Sequence, residues 1–290
     1  MPCWPTSGPG NWPRVTDANA ALVSELERRG LVRREARWLV QEYGATDDPS
    51  LGAALFGAAQ RRLSGEPLQY VIGHWPFRDL DLDIDARVLI PRPETEELVG
   101  VALDELARSA AAAPRILDLG CGSGAIGLAL LDELGRSGVA ATLVSVDSSL
   151  DALDVARTNA QKHQLDAVSF VHSSWFDDLD GALRGRFDLI VANPPYVGRA
   201  ELGRLDPVLA YEPEGALVAD DARGVAGFAD VERIIVGAPA WLAPAGVLVC
   251  EHGDRQGDAA TSLATSSGFA TVEDRVDVAA RPRLLVARRS

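Results

Sequence analysis

Four stretches carry side chains whose types and spacing can do chemistry. Asn193-Pro194-Pro195-Tyr196 follows the apolar run Phe187–Ala192. The two prolines cannot extend a sheet ladder, and a residue before proline is held extended. The Asn193 carboxamide therefore projects from a strand end as a stiff polar claw with an aromatic close behind; the plain alternative is a strand followed by a proline-rich turn. Upstream, Arg115-Ile-Leu-Asp118-Leu-Gly120-Cys121-Gly122-Ser123-Gly124-Ala125 runs from a strand through a glycine loop into a helix. Such a loop lets the backbone turn tightly and offers free N–H groups to a ligand, although a dinucleotide site reads almost the same. Asp118 would repel a pyrophosphate and suit a cationic aminoacyl group. Asp147 ends the next apolar run and is placed to hold a ribose diol, or else simply caps the helix that starts at Ser148. Trp175 can lie on an adenine face, or be an ordinary core or surface tryptophan. Aminoacyl, ribose and base contacts on three successive strand ends would form one nucleoside-shaped groove.

These residues need a sheet that brings strand ends together. From residue 115 strands alternate with helices, which predicts a parallel sheet covered on both faces. Strands are expected near 115–119, 141–146, 167–171, 187–192, 245–251, 269–275 and 281–288, and helices near 125–136, 149–163, 225–242 and 255–267. The fold class is therefore α/β, with seven mostly parallel strands. Residues 1–15 hold four prolines and two tryptophans without periodicity and read as a tail. Three short amphipathic helices follow, capped by Thr16 or Asp17 and by Asp48-Pro49, and ended at Gly30 and Gly44. They predict a small helical domain over 16–75. Gly65–Gly73 leads out of it into a β-hairpin linker, 76–93, in which Leu80, Leu82 and Ile84 pair with Val88-Leu89-Ile90. Glu94-Thr-Glu-Glu97 opens the helix that starts the main domain, 94–290, and the clustered Arg92, Glu94 and Glu96 are candidates to face a ligand.

The 290 residues are 47% hydrophobic and 24% charged, as in an ordinary soluble globular protein. No apolar run is long enough to span a bilayer, and the first residues lack the basic and apolar regions of a secretory signal. The three cysteines and four histidines show no metal-ligand or disulfide spacing, so no metal is expected and a reducing cytoplasm is the expected location. A net charge of −14 argues against direct nucleic-acid binding. A monomer is expected.

Together the glycine loop, Asp147 and Asn-Pro-Pro-Tyr resemble the Rossmann-like class I S-adenosylmethionine-dependent methyltransferases. Gly65-Glu-Pro-Leu-Gln-Tyr-Val-Ile-Gly73, Leu89-Ile-Pro-Arg-Pro-Glu-Thr-Glu96, Asn193–Tyr196, Tyr211-Glu-Pro213 and Glu251-His-Gly253 narrow the resemblance to the protein-(glutamine-N(5)) methyltransferases called PrmC or HemK. It covers roughly residues 17–289. The resemblance implies S-adenosylmethionine as cofactor and, as protein substrate, peptide-chain release factors methylated at the glutamine of their Gly-Gly-Gln motif. It implies that the helical N-terminal domain docks the release factor. It places the cofactor loop on Gly120 to Gly124, the ribose acid on Asp147, the adenine contact on Trp175 and the substrate claw on Asn193, Pro194, Pro195 and Tyr196. Two positions depart from the family pattern: Cys121 stands where threonine is expected, and Ala280 where glycine is usual.

An amide nitrogen is a poor nucleophile, because its lone pair is delocalised into the carbonyl. Asn193 Oδ1 and the Pro194 carbonyl are expected to accept its two N–H bonds and aim it at the methyl, while Tyr196 packs on the amide plane. Catalysis is thus assigned to Asn193, Pro194 and Tyr196, and cofactor contacts to Asp118, the loop, Asp147, Trp175 and Asn193. The nearest alternative is a nucleic-acid methyltransferase acting on an exocyclic amine (adenine N(6) or guanine N(2)). A dinucleotide-dependent oxidoreductase and a cofactor-sensing binding module are the others.

Overall fold

In the computed structural model, which describes residues 17–44, 49–109, 111–204, 206–277 and 279–290, the first helices form where the apolar spacing put them. They are α1 (Asp17–Arg28), α2 (Arg33–Tyr43) and α3 (Pro49–Leu63). Leu26, Leu39 and Leu55 are sealed between them. The tail and the proposed caps Thr16 and Asp48 lie outside the described residues. A fourth helix was not foreseen: α4 (Leu68–Ile72), ended by Gly73 in the left-handed region at φ 89°. Its Val71 carbonyl accepts the Tyr43 hydroxyl at 2.9 Å.

The hairpin is real, but its partner differs from the expectation. β1 (His74–Phe77) pairs antiparallel with β2 (Leu80–Asp83), with Phe77 opposite Leu80. Val88–Ile90 forms no strand, because side chains take its backbone groups. The Val88 carbonyl accepts the Tyr70 hydroxyl, and the Ile90 N–H donates to Glu212.

The remaining elements are α5 (Pro93–Ser109), β3 (Arg115–Leu119), α6 (Ala125–Arg136), β4 (Thr142–Asp147), α7 (Leu150–Lys162), β5 (Val168–His172), β6 (Phe187–Ala192), β7 (Val197–Gly198), β8 (Val218–Ala219), α8 (Ala229–Gly237), β9 (Leu242–Glu251), α9 (Gly257–Ser266), β10 (Thr271–Val276) and β11 (Pro282–Arg288). The central sheet runs β10-β11-β9-β6-β3-β4-β5, and only β11 opposes the others. Side chains alternate across it. Ile116, Leu189, Val191, Val247 and Val249 pack toward α5, α6 and α7, while Leu117, Leu119, Ile190, Leu248 and Leu285 pack toward α8 and α9. The helix expected over 225–242 is shorter. Gly227, at φ 64°, packs so tightly on the Tyr196 carbonyl that a Cβ would lie 2.4 Å from it. The chain straightens into a helix only at Ala229. Among the described residues no helix is long and apolar enough to cross a membrane.

The chain runs outward from β3 through β4 to β5, then crosses back to β6 on the other side of β3. The carboxyl ends beside β3 are therefore a topological switch point, where open α/β sheets leave a crevice.

Candidate active site

That crevice gathers the residues singled out above. The glycine loop leaves β3 with Gly120, Gly122 and Gly124 at φ 72°, 53° and 83°, a region side-chain-bearing residues seldom adopt. The Gly120 and Cys121 N–H groups both donate to the Val146 carbonyl of β4, at 2.8 and 2.9 Å. A Cβ at Gly124 would lie 2.8 Å from Leu128, whereas one at Gly122 would meet nothing within 4 Å. The loop thus packs on its own helix at one end and faces open space at its middle. Cys121 is buried, which pushes its thiol pKa up and keeps it neutral.

Asp147 ends β4 half-buried. Oδ2 accepts the Gly122 N–H at 2.8 Å and Oδ1 the Ser149 N–H at 2.9 Å. Asp147 thus braces the glycine loop and the turn that leads into α7, whose N-cap is Ser149. Burial raises its pKa against the opposing effect of those N–H groups. Asp118 is fully buried. Oδ2 accepts the Gly127 N–H of α6 at 3.0 Å, and Oδ1 has no partner among the described residues. Burial pushes its pKa to about 7, Gly127 opposes, and Asp147 adds to the rise.

Trp175 follows β5 and is itself at φ 53°, a strained conformation for a bulky residue. Its indole N–H donates to Asp230 at 3.0 Å, and its six-membered ring lies against Gly120, where a Cβ would come within 3.2 Å. The ring therefore walls the groove beside the loop.

Asn193 stands at the end of β6. Its Nδ2 donates to Thr95 Oγ1 at 3.0 Å, Thr95 donates to Glu251 Oε2 at 2.9 Å, and the Tyr196 hydroxyl donates to Glu251 Oε1 at 3.2 Å. Among the described residues, neither Asn193 Oδ1 nor the Pro194 carbonyl accepts a hydrogen bond. Pro194 is buried and Pro195 half-buried. Glu251 is buried, which raises its pKa, while Thr95, Arg283 and Tyr196 oppose that rise. Burial likewise raises the Tyr196 pKa, with Glu251 adding to it. Gln256 fastens the claw from behind by donating to the carbonyls of Tyr196 and Ala226, at 3.1 and 2.7 Å.

Several of these residues escaped prediction. In the first turn of α5, Thr95 rather than Glu94 or Glu96 contacts the claw. Arg92 pairs with Glu212, which is buried and also accepts the Ile90 N–H. Tyr211 beside it donates to the Ser64 carbonyl at 3.0 Å, so the 199–216 loop is tied to both the linker and the helical segment. Asn159, fully buried on α7, accepts the Asp83 N–H and donates to the Asp83 and Ser123 carbonyls. Ala280, the departure from glycine, is at φ 58°, where glycine would be unstrained.

The site fits S-adenosylmethionine on three structural grounds. Gly122 leaves room for close approach, Asp147 offers acceptors at a strand end, and Asp118 Oδ1 is a buried acceptor without a donor. Comparison with known proteins agrees. Residues 111–276 match the family model described as a methyltransferase domain. A release factor glutamine methyltransferase of Burkholderia pseudomallei is 38% identical over 273 residues, covering 91% of this chain and 92% of that protein. One of Bordetella pertussis is 40% identical over 264 residues, covering 91% and 93%. A solved methyltransferase of Pyrococcus furiosus aligns with a TM-score of 0.51 at 13% identity, covering 84% of this chain and all of that one, and shows the shared fold. The chain belongs to the release factor glutamine methyltransferase family.

Proposed function

We propose that this protein transfers a methyl group from S-adenosylmethionine to the side-chain amide nitrogen of the glutamine in the Gly-Gly-Gln motif of peptide-chain release factors. The observation that carries the reading is the pair of free acceptors on a rigid claw, Asn193 Oδ1 and the Pro194 carbonyl, beside a glycine loop that fits the donor. A primary amide presents two N–H donors on one nitrogen, which two such acceptors match. Accepting both bonds aims the nitrogen and favours the positive charge that develops on it during transfer. Proline supplies the carbonyl on a fixed backbone with no competing N–H. Tyr196 packs on the amide plane, and Pro195 stiffens the chain between them.

The cofactor, when bound, supplies an electrophilic methyl on a sulfonium. The open backbone of the loop from Gly120 to Gly124, including Cys121 and Ser123, would receive its aminoacyl end, with Asp118 beneath and Asn193 at the reacting side. Asp147 accepts the ribose hydroxyls and Trp175 walls the adenine. The helical segment up to residue 75 docks the release factor, and 76–93 links it to the methyltransferase domain over 94–290. We read the protein as a cytoplasmic monomer that does not contact nucleic acid directly, in keeping with its charge of −14.

Labelled methyl transfer to a release factor, beside the same factor with the Gly-Gly-Gln glutamine replaced, tests the substrate. Label is expected on the first only; label persisting on the second overturns the assignment. Asn193→Ala should cut turnover by about 10²–10³, as loss of a transition-state contact does, and lower cofactor affinity far less.

A further inference from the structure

An asparagine at a strand end can turn its carboxamide either way, since oxygen and nitrogen have nearly the same size. Only one way serves an amide substrate. With Oδ1 outward the side chain accepts the substrate N–H; with Nδ2 outward two donors face each other. The claw contains nothing that decides between them.

The decision comes from neighbouring elements. Glu251 ends β9, the strand beside β6, where Cys250 is opposite Ala192, so the carboxylate stands level with Asn193. Thr95 comes from the first turn of α5, and both it and Glu251 are buried. Both oxygens of the Glu251 carboxyl group accept, one from Thr95 and one from Tyr196, and a hydroxyl has a single hydrogen. The Thr95 hydrogen is committed to Glu251 at 2.9 Å, leaving its oxygen to accept. The amide nitrogen of Asn193 meets that need at 3.0 Å. The other carboxylate oxygen takes the Tyr196 hydroxyl at 3.2 Å, and the Arg283 guanidinium lies over the tyrosine ring at 5.6 Å.

We propose that Thr95 and Glu251 are positioning residues for glutamine methylation. Glu251 acts through Thr95 to fix which face of the Asn193 carboxamide meets the substrate, and directly on the hydroxyl of Tyr196, so one buried carboxylate sets both ends of the claw. The inference rests on the reading of Asn193 Oδ1 and the Pro194 carbonyl as substrate acceptors.

The relay is directional, and that separates it from a fastening. Thr95→Val keeps the shape and removes the hydroxyl. Thr95→Ser restores the hydroxyl. Glu251→Gln keeps the volume but holds one acceptor where the carboxylate holds two, so whichever way its amide turns a donor faces either Thr95 or the Tyr196 hydroxyl and one end of the claw loses its anchor. Release-factor methylation, S-adenosylmethionine titration and thermal melting are measured on each full-length variant. We expect Thr95→Val to lower kcat by about tenfold, the worth of one oriented hydrogen bond, with Thr95→Ser returning to within about threefold of the parent. Glu251→Gln should lower kcat at least as far, and the double variant with Thr95→Val only slightly further. Cofactor Kd should stay within about twofold throughout. Thr95→Val within threefold of the parent, or Thr95→Ser as slow as Thr95→Val, overturns the proposal. If Thr95→Val does not fold, an unchanged kcat in Glu251→Gln overturns it alone. Failure of the underlying reading looks different, since Asn193→Ala would then remain active.

Discussion

Asp118 is a carboxyl group held where charge is disfavoured, sealed beneath α6 with one oxygen on the Gly127 N–H. The aspartate before the loop was visible in the sequence, but its partner was not, because no spacing rule marks the first-turn N–H of Gly127 in α6 as the donor to a strand side chain nine residues back. Gly127 has a physical reason to be glycine: a Cβ there would lie 2.7 Å from Leu143 and 2.8 Å from Asp118. Burial lifts the Asp118 pKa from 3.8 to about 7. A folded-state value above the unfolded one means that the stability Asp118 contributes is full below pH 3.8 and is lost as pH rises through 7. Asp118→Asn cannot ionise and escapes that loss. Urea unfolding at pH 5 and pH 8 should therefore show the variant gaining about 2–3 kcal/mol on the parent across the window. A gap that does not change with pH contradicts the burial of a titrating acid at this position.

The central strands of the sheet were legible, because β3, β6 and β9 hold short apolar runs bounded by turn residues and lie buried between two helical layers, whereas the edge strands β5 and β10 stay partly exposed. The 74–90 segment was misread for a related reason. Val88-Leu89-Ile90 has strand-like composition, but the Val88 N–H closes a local turn on Asp85 while the Val88 carbonyl and Ile90 N–H go to the side chains of Tyr70 and Glu212. Composition cannot reveal a ladder replaced by side chains. Asn159 shows the same limit on α7, where its sequence neighbours give no hint that it joins β2 to the glycine loop. It makes three bonds at 2.7, 3.0 and 2.9 Å. Asn159→Ala leaves the half-buried N–H and carbonyl of Asp83 and the buried carbonyl of Ser123 without partners. It should cost about 2–4 kcal/mol in unfolding, at about 1–3 kcal/mol for each unsatisfied group after partial relaxation. Because one of those carbonyls belongs to Ser123, cofactor affinity should fall as well, while a loss of stability with unchanged affinity would show that the loop holds its shape without α7.

Across the whole molecule, the helical segment, the hairpin and the sheet domain are joined through charges as well as through the Tyr211 and Glu212 contacts. His74 on β1 donates to Asp81 of β2 at 2.6 Å and reaches Glu42 of α2 at 3.2 Å. Asp81 also pairs with Lys162 of α7, which in turn holds Asp83 at 2.6 Å. An imidazolium between two carboxylates is stabilised, so the Asp81 bond, helped by Glu42 and opposed by burial, lifts the His74 pKa from 6.5 to about 9. The folded value is again above the unfolded one. For a base this means the added stability is full below 6.5 and disappears as pH rises through 9. The side chain is 28% exposed, so the worth of the tie is discounted to about 2 kcal/mol. The parent should lose that amount between pH 6.5 and 9.5 beyond any general effect of rising negative charge, and His74→Ala should lose only the general part. Amide exchange at the two pH values, each rate divided by the intrinsic base-catalysed rate at that pH, shows where the loss falls. Faster exchange in α1, α2 and β1 with an unchanged central sheet is the expected pattern, because the tie joins the helical segment to the hairpin. Equal acceleration throughout would mean that His74 acts on the fold as a whole and not as a clasp between its two parts.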